Sequence, residues 1–105
     1  MIQRAVIIVC YHPVKNKLEN LVDKVSGPGT IVYIANNGGI TAELNYTLNQ
    51  KKAIVINFDR NLGLGEAINR IAEIIPESVE AIFTFDQDTS PPDDYIIKTW
   101  THFRK

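Results

Sequence analysis

Four apolar runs, separated by mixed polar and apolar stretches, set the order of elements that the chain predicts. The runs cover residues 5–10, 30–35, 53–58 and 79–85. The first run is continuous rather than alternating, which is typical of a strand covered on both faces of a parallel sheet. The last is rich in branched and aromatic residues, which favour strands. We therefore expect four β-strands.

The stretches between the runs predict helical crossovers. Apolar residues recur at helical spacing over residues 14–25 and 64–75, and glycine or proline follows each stretch. Residues 41–50 are ambiguous, because their leucines suit a helix while their Asn, Thr and Tyr residues favour one little. We expect two helices and, at 41–50, either a short helix or an irregular crossover.

A fourth helix is predicted after the last strand. The segment Ser90-Pro91-Pro92-Asp93 offers a cap, prolines for the first turn and an acid three residues after the cap. Ile96, Trp100 and Phe103 would give this helix its apolar face. Their spacing favours core packing over a stacking platform for a ligand.

Strands that alternate with helices predict an α/β fold, in which a Rossmann-like, mostly parallel sheet carries helices on both faces. The chain has 105 residues and is 45% hydrophobic, which suits one compact domain over residues 1–105. Ligands of such sheets bind beyond the carboxyl ends of the strands. The polar loops expected at that edge are Tyr11-His12, Asn36-Asn37-Gly38, Arg60-Asn61 and Asp86-Gln87-Asp88. We expect these loops to form one site.

The charge and the cysteine content indicate which binding partners are excluded and which cellular compartment the protein occupies. The formal net charge is -1 and the isoelectric point is about 6.1, so the clustered positive field that nucleic acids require is missing. Cys10 is the single cysteine, which excludes an intrachain disulfide and fits a reducing cytoplasm. Its apolar surroundings favour a small buried hydrophobe over a catalytic thiol. No run approaches the ~18 apolar residues that span a bilayer.

Asp86-Gln87-Asp88 carries the strongest chemical signal. Its two carboxylates follow an apolar strand, and both can face a cleft where the chain leaves the sheet. Hard oxygen ligands suit Mn²⁺ or Mg²⁺, which bind one or two protein carboxylates together with substrate phosphates. Such a metal neutralises charge on a departing nucleoside diphosphate. Acids are also common in turns, but the apolar strand and the neighbouring polar loops favour a metal and diphosphate site.

Other motifs add no site of their own. The Gly-Leu-Gly triplet at 63–65 lacks the third glycine of a dinucleotide fingerprint, and the lysine-containing phosphate loop is missing from the sequence. His12 and His102 have no second ligand nearby in sequence, which favours structural or surface roles. Arg60 stays open between a guanidinium that binds phosphate or nucleobase and a solvent-facing loop residue.

Taken in order, these motifs resemble the N-terminal half of family 2 glycosyltransferases, and especially the rhamnosyltransferase-like members. The matching segments are VIIVCYHP (6–13), VYIANNG (32–38), NLGLGEAIN (61–69) and FDQDTSPP (85–92). The resemblance implies a GT-A fold and an inverting, metal-dependent transferase. Its donor would be a dTDP- or UDP-linked sugar such as rhamnose, and its acceptor a glycan or a lipid-linked acceptor in the synthesis of a cell-envelope polysaccharide.

The resemblance also implies roles for single residues. Those implied to bind the nucleotide are Cys10, Tyr11, Asn36, Asn61, Gly63 and Asp86. Of these, Cys10, Tyr11 and Asn36 would cradle the nucleobase, and Asp86 would approach the ribose or a metal-bound water. Asp88 would coordinate Mn²⁺ or Mg²⁺ on the diphosphate. Family members commonly carry an aspartate in place of Asn36, so the base preference stays open.

The family's acceptor-binding half and catalytic base lie beyond the position of Lys105. We therefore expect a nucleotide-sugar-binding half domain, truncated relative to the complete transferase and without a catalytic residue of its own. One alternative is a nucleotide-binding or assembly module that self-associates through an incomplete sheet edge. A second is an aspartate-nucleophile phosphatase, although its motif ends in Thr or Val where this chain has Ser90. Nucleotidylyltransferases carry a glycine-rich basic loop where this chain has Tyr-His-Pro.

Overall fold

The computed structural model describes residues 2–104, with side chains described as far as residue 101. Within these residues, strands and helices alternate as the sequence predicts. The elements are β1 (Arg4–Cys10), α1 (Lys15–Val25), β2 (Thr30–Asn36), α2 (Ala42–Gln50), β3 (Ile54–Asn57), α3 (Gly63–Ala72), β4 (Ala81–Asp86) and α4 (Tyr95–Arg104). No helix in this described range has the length and apolar character needed to cross a bilayer.

The four strands form one parallel sheet in the order β3-β2-β1-β4. The predicted α/β class, with a parallel sheet between helices, is confirmed. The carboxyl ends of the strands lie level: Cys10 pairs with Asn36, which pairs in turn with Asn57. On the other side of β1, Val9 pairs with Asp86. This register brings the polar loops that follow the strands to one edge of the sheet.

β1 lies inside the sheet and is buried on both faces. Val6, Ile8 and Cys10 face a core that α1, α2 and α4 cover. Ala5 and Ile7 face a second core on the other side, which α3 covers. Because neither face of β1 meets solvent, its sequence needs no polar alternation, which explains the continuous apolar run.

The ambiguous segment 41–50 forms the helix α2. Thr41 caps it, since the hydroxyl oxygen accepts a hydrogen bond from the Leu44 N–H at 3.1 Å. Leu44 and Leu48 lie one turn apart, and both are buried in the core against the sheet. The cap and the buried leucines together offset the weak helix propensity of the intervening residues.

The predicted start of α4 is wrong. The helix begins at Tyr95 and not after a Ser90 cap, so both prolines precede it. Asp94 has a left-handed φ of 61°, and the Tyr95 N–H donates to the Pro92 carbonyl at 3.2 Å. This turn separates the prolines from the helix. Ile96 and Trp100 are buried, as the sequence predicts, whereas the Phe103 and His102 side chains lie outside the described residues.

The other boundaries differ by a few residues. α3 ends at Ala72, short of the predicted 75, because the N–H groups of Ile74 and Ile75 donate to carbonyls three residues back. This tightened turn comes just before Pro76, which disfavours helical geometry in the residue that it follows. β3 is limited to Ile54–Asn57, and β4 begins at Ala81 and includes Asp86.

Arg4 is a buried charge that the sequence does not reveal. Only 5% of the residue is exposed. Its Nη2 donates to the Pro28 carbonyl at 2.5 Å, and its Nε donates to the Thr30 hydroxyl at 3.1 Å. The guanidinium carbon lies 5.4 Å from the centre of the Trp100 ring. These contacts compensate for lost hydration and join β1, the turn before β2, and α4.

Candidate functional site

The order of the strands creates a crevice between β1 and β4. From β1 the chain moves outward through β2 to β3, with α1 and α2 on one face of the sheet. It then returns to the far side of β1, with α3 on the opposite face. The direction of winding therefore reverses between β1 and β4. Ligands of open parallel sheets bind at such a reversal, outside the carboxyl ends of the strands.

A cavity of about 480 Å³, which we call the first cleft, lies at this reversal on the α3 face. Its lining residues are Val9, Tyr11, Asn37, Asn61, Gly63, Leu64, Ile68, Thr84, Phe85, Asp86 and Gln87. Four residues that the sequence nominates are among them: Tyr11, Asn61, Gly63 and Asp86. The first cleft thus combines apolar walls with phenol, amide and carboxylate groups, as small-molecule sites commonly do.

The other nominated residues lie outside the first cleft. Asp88 lines a separate cavity on the α1 face. The Arg60 side chain is 68% exposed, and its Nη1 lies 3.7 Å from Asp59 Oδ1. Arg60 is therefore a solvent-facing loop residue in this structure. The side chains of Cys10 and Asn36 are engaged within the protein.

Cys10 is fully buried in the core beneath α1. Burial, followed by the negative charges of Asp86 and Asp88, raises the pKa of the Cys10 thiol to about 12. A thiol that stays protonated to such a pH is neither a nucleophile nor a metal ligand near neutrality. The interpretation of Cys10 as a small buried hydrophobe is confirmed, and only its backbone is left to contact a ligand.

Asn36, at the end of β2, uses its amide inside the turn. Its Nδ2 donates to Asn57 Oδ1 at 2.8 Å, and its Oδ1 accepts from the Gly38 N–H at 2.8 Å. The side chain does not line the first cleft. In this structure Asn36 holds β2, β3 and the following turn together.

Asn37 lies in a loop that the sequence predicts for the site, but no role of its own is predicted for it. It is 5% exposed and lines the first cleft. Its Nδ2 donates to the Gly63 carbonyl at 3.2 Å, and its Oδ1 accepts from the Leu62 N–H at 3.0 Å. Asn37 therefore fixes the loop before α3 to the end of β2. The Asn-Asn-Gly-Gly sequence signals a turn, but it does not tell which asparagine faces the cleft.

Gln87, between the two acids, likewise lies in a predicted site loop without a role predicted for it. Its Oε1 accepts from the Tyr11 N–H at 2.7 Å, and its Nε2 donates to the Tyr11 carbonyl at 3.1 Å. The side-chain amide thereby extends the ladder between β1 and β4 beyond Asp86, the last paired residue of β4. Gln87 sets the separation of the two strand ends. We call this pair of bonds the Gln87 clamp.

Tyr11 is held at the mouth of the first cleft by tight loops. It is 51% exposed, and its ring makes an edge contact with the His12 ring, with 4.3 Å between centroids. His12 has a φ of 47°, and its N–H donates to the Gly38 carbonyl at 2.9 Å. At Gly39, with a φ of 85°, an added Cβ would lie 2.7 Å from the His12 Cα. Only glycine allows this close approach, which presents the Tyr11 ring to the cleft.

Asp86 and Asp88 lie on either side of the β4 end. The Asp88 N–H donates to Asp86 Oδ1 at 3.3 Å, so the turn uses one carboxylate oxygen. Among the described residues, no group of three or more His, Cys, Asp or Glu side chains could hold a metal. Asp86 and Asp88 carry carboxylate oxygens, the hard ligands that Mn²⁺ and Mg²⁺ prefer, and they do so on the two sides of one turn.

Comparison of the chain with models of known protein families, with curated proteins and with solved structures finds no match in any of the three. The geometry and chemistry of the strand ends are therefore what support a function for this protein.

Replacing Gln87 with Leu removes the Gln87 clamp and keeps a side chain of similar size. We expect the free energy of unfolding to fall by about 1–2 kcal/mol, because two hydrogen bonds to Tyr11 are lost. The Tyr11 amide should also exchange with solvent about tenfold faster. Urea denaturation and hydrogen exchange followed by NMR measure these effects. Gln50→Leu, at the end of α2, is the control, and an unchanged Tyr11 exchange rate in the Gln87 variant would contradict the clamp.

Cys10 should make the stability of the fold sensitive to alkaline pH. The folded protein holds the thiol proton more tightly than the unfolded chain, whose thiol has the ordinary pKa of 9.0. The contribution of the protonated thiol to the free energy of unfolding is complete below pH 9 and is lost as the pH rises towards 12. In urea denaturation, the wild type has a higher free energy of unfolding than Cys10→Ala. This difference should shrink by about 1.4 kcal/mol for each pH unit above pH 9. A constant difference would show that the buried thiol does not hold its proton.

Proposed function

We propose that this chain is the donor-binding part of an inverting, metal-dependent glycosyltransferase, and that it binds a nucleotide diphosphate sugar in the first cleft. The observation that carries the proposal is the position of the first cleft at the reversal of the sheet, with Tyr11, Asn61 and Asp86 at its rim. The ordered resemblance to family 2 glycosyltransferases, which the same loops carry, suggests the kind of ligand.

The first cleft has the chemistry that a nucleoside needs. Its volume of about 480 Å³ lies within the range of small-molecule sites. The exposed ring of Tyr11 offers a face on which a base stacks, and Leu64 and Ile68 add apolar wall. The amide of Asn61 suits the polar edge of a base, and the carboxylate of Asp86 suits the hydroxyl groups of a ribose.

The diphosphate would lie at the β4 end, beside Asp86 and Asp88. When bound there, Mn²⁺ or Mg²⁺ supplies a Lewis acid for the leaving nucleoside diphosphate. Asp86 and Asp88 would hold that cation, and the Gln87 clamp keeps their turn in place. No residue of this chain is assigned as the catalytic base, and the glycan or lipid-linked acceptor is proposed to bind outside residues 1–105. The single cysteine favours the cytoplasm as the compartment.

Isothermal titration calorimetry of UDP, dTDP and GDP, with and without Mn²⁺, tests the proposal. We expect UDP or dTDP to bind, with a Kd that Mn²⁺ lowers because the metal neutralises the diphosphate beside two acids. Tyr11→Ala should weaken binding by about 1–3 kcal/mol through the loss of stacking. Asp88→Ala should abolish the effect of Mn²⁺.

Two variants control for changes at the surface. Asp93→Ala removes an exposed acid, and Tyr46→Ala removes an exposed tyrosine; neither residue lines a cleft, so both variants should bind as the wild type does. The proposal fails if none of the three nucleotides binds, or if Mn²⁺ strengthens binding equally in Asp88→Ala.

The free edge of β4 favours a second function, as an assembly module. β4 pairs with β1 on one side, and no strand within residues 2–104 pairs with its other side. The strand carries no charge or proline from Ala81 to Phe85, and Ile82 is 48% exposed. Natural edge strands usually avoid this combination, because such an edge pairs readily with another strand.

Sedimentation velocity over a range of protein concentrations tests this second function. We expect reversible association, which Ile82→Lys should abolish because a charge on the edge strand opposes pairing. Tyr46→Lys places the same charge on α2, which packs at the β3 side of the sheet, and should leave association unchanged. A wild-type protein that stays monomeric at high concentration would rule out an assembly role for this edge.

A further inference from the structure

A second cleft, of about 330 Å³, lies on the α1 face of the sheet, between α1 and the turn after β4. Its lining residues are Lys17, Asn20, Leu21, Lys24, Asp88, Thr89 and Ser90. Leu21 is the single apolar member of this set and is 1% exposed. Six of the seven lining residues are therefore polar or charged, and the proposed donor site uses only Asp88 among them.

Two lysines line this cleft, together with one aspartate. Within the described part of the chain, the Lys17 ammonium group has no hydrogen bond or ion pair. Lys24 donates to Ser90 Oγ at 3.5 Å and to the Pro91 carbonyl at 3.1 Å, and both acceptors are neutral. The lining thus has a net positive charge that is open to a ligand.

Two lysines near the cleft, Lys15 and Lys51, have acidic partners. Lys15, also on α1, has its Nζ 3.4 Å from a Glu19 carboxylate oxygen and 3.6 Å from one of Glu43. Lys51 pairs with Asp23 at 2.8 Å. Acidic partners therefore lie close to α1, and they pair with Lys15 and Lys51 but not with the two lysines of the cleft.

Three residues with neutral donors line the cleft together with the two lysines. The hydroxyl groups of Thr89 and Ser90 and the amide of Asn20 line the same space. A phosphate group presents several acceptor oxygens and a negative charge, so it can use ammonium and neutral donors together. A polar cleft with this composition suits a phosphate better than a neutral sugar or an apolar group.

We propose that the second cleft is a phosphate-binding site, with Lys17 and Lys24 as its cations and Asn20, Thr89 and Ser90 as neutral donors. The site adjoins the first cleft across the 86–88 turn, where the Asp88 N–H lies 3.3 Å from Asp86 Oδ1. The phosphate therefore has two chemical sources. It belongs either to a nucleotide whose nucleoside lies in the first cleft or to a separate phosphorylated molecule.

Titration of the ¹⁵N-labelled protein with inorganic pyrophosphate, without metal, tests the site. We expect amide shifts at Asp88, Thr89 and Ser90 and along the facing side of α1. Lys17→Ala should raise the Kd about tenfold, because a charge-assisted contact is lost without breaking any bond within the described chain. Lys24→Arg keeps both the charge and a donor for Ser90, and should bind as the wild type does.

Lys15→Ala is the matched control, since it removes the same charge from the same helix outside the cleft. Its Kd should equal that of the wild type. Equal losses of affinity in Lys15→Ala and Lys17→Ala would overturn the proposal, because they would show a response to overall charge alone. Shifts that spread over the surface lysines and spare residues 88–90 would overturn it as well.

Two further titrations identify the source of the phosphate and separate this site from the proposed function. If UDP displaces pyrophosphate, one nucleotide spans both clefts; if pyrophosphate still shifts residues 88–90 in the UDP-saturated protein, a second molecule supplies the phosphate. Both results support the site. Uridine alone reports on the first cleft through Tyr11 and Asn61. If pyrophosphate binds but uridine and UDP leave the Tyr11 and Asn61 amide signals unshifted, the result supports the phosphate site and contradicts the nucleotide-binding proposal.

Discussion

The structure depends on burying β1 on both faces at the centre of a parallel sheet. A strand without a polar face needs a strand on each side and a layer of helices above and below it. Parallel neighbours require crossovers, and the right-handed preference of crossovers fixes the face that each helix covers. With β2 on one side of β1 and β4 on the other, α1 and α2 cover one face and α3 the opposite one. The crevice between β1 and β4 is a consequence of covering β1.

The first cleft and the exposed edge of β4 have a common cause. α3 packs on β1 and β2, and its buried residues meet the core on that side. The α3 face of β4 is left open, which gives the first cleft its space and leaves Ile82 half exposed. The nucleotide-binding proposal and the assembly proposal therefore both depend on the open α3 face of β4. In the first a small molecule binds there, and in the second another strand pairs with the edge of β4.

The Asp86-Gln87-Asp88 motif at the end of β4 contributes residues to both clefts. Asp86 lines the first cleft, Asp88 lines the second, and Gln87 between them joins β4 to Tyr11. Two carboxylates repel a diphosphate unless cations offset their charge. A divalent metal is one such cation, and the ammonium groups of the second cleft are others. Both proposals therefore require positive charge at the end of β4, where it offsets the two carboxylates.

The sequence by itself determined the α/β class, the parallel sheet and the edge where the polar loops meet, because hydrophobic periodicity and crossover handedness are local or general constraints. It also nominated Tyr11, Asn61, Gly63 and Asp86, which the structure brings together in the first cleft. Only the tertiary structure decided which amide faces that cleft, since Asn36 and Asn37 are equivalent as turn residues and differ only through their partners on β3 and α3. The same is true of the second cleft: the lysines of α1 and the turn after β4 are far apart in sequence, and the packing of α1 beside the end of β4 is what places them together.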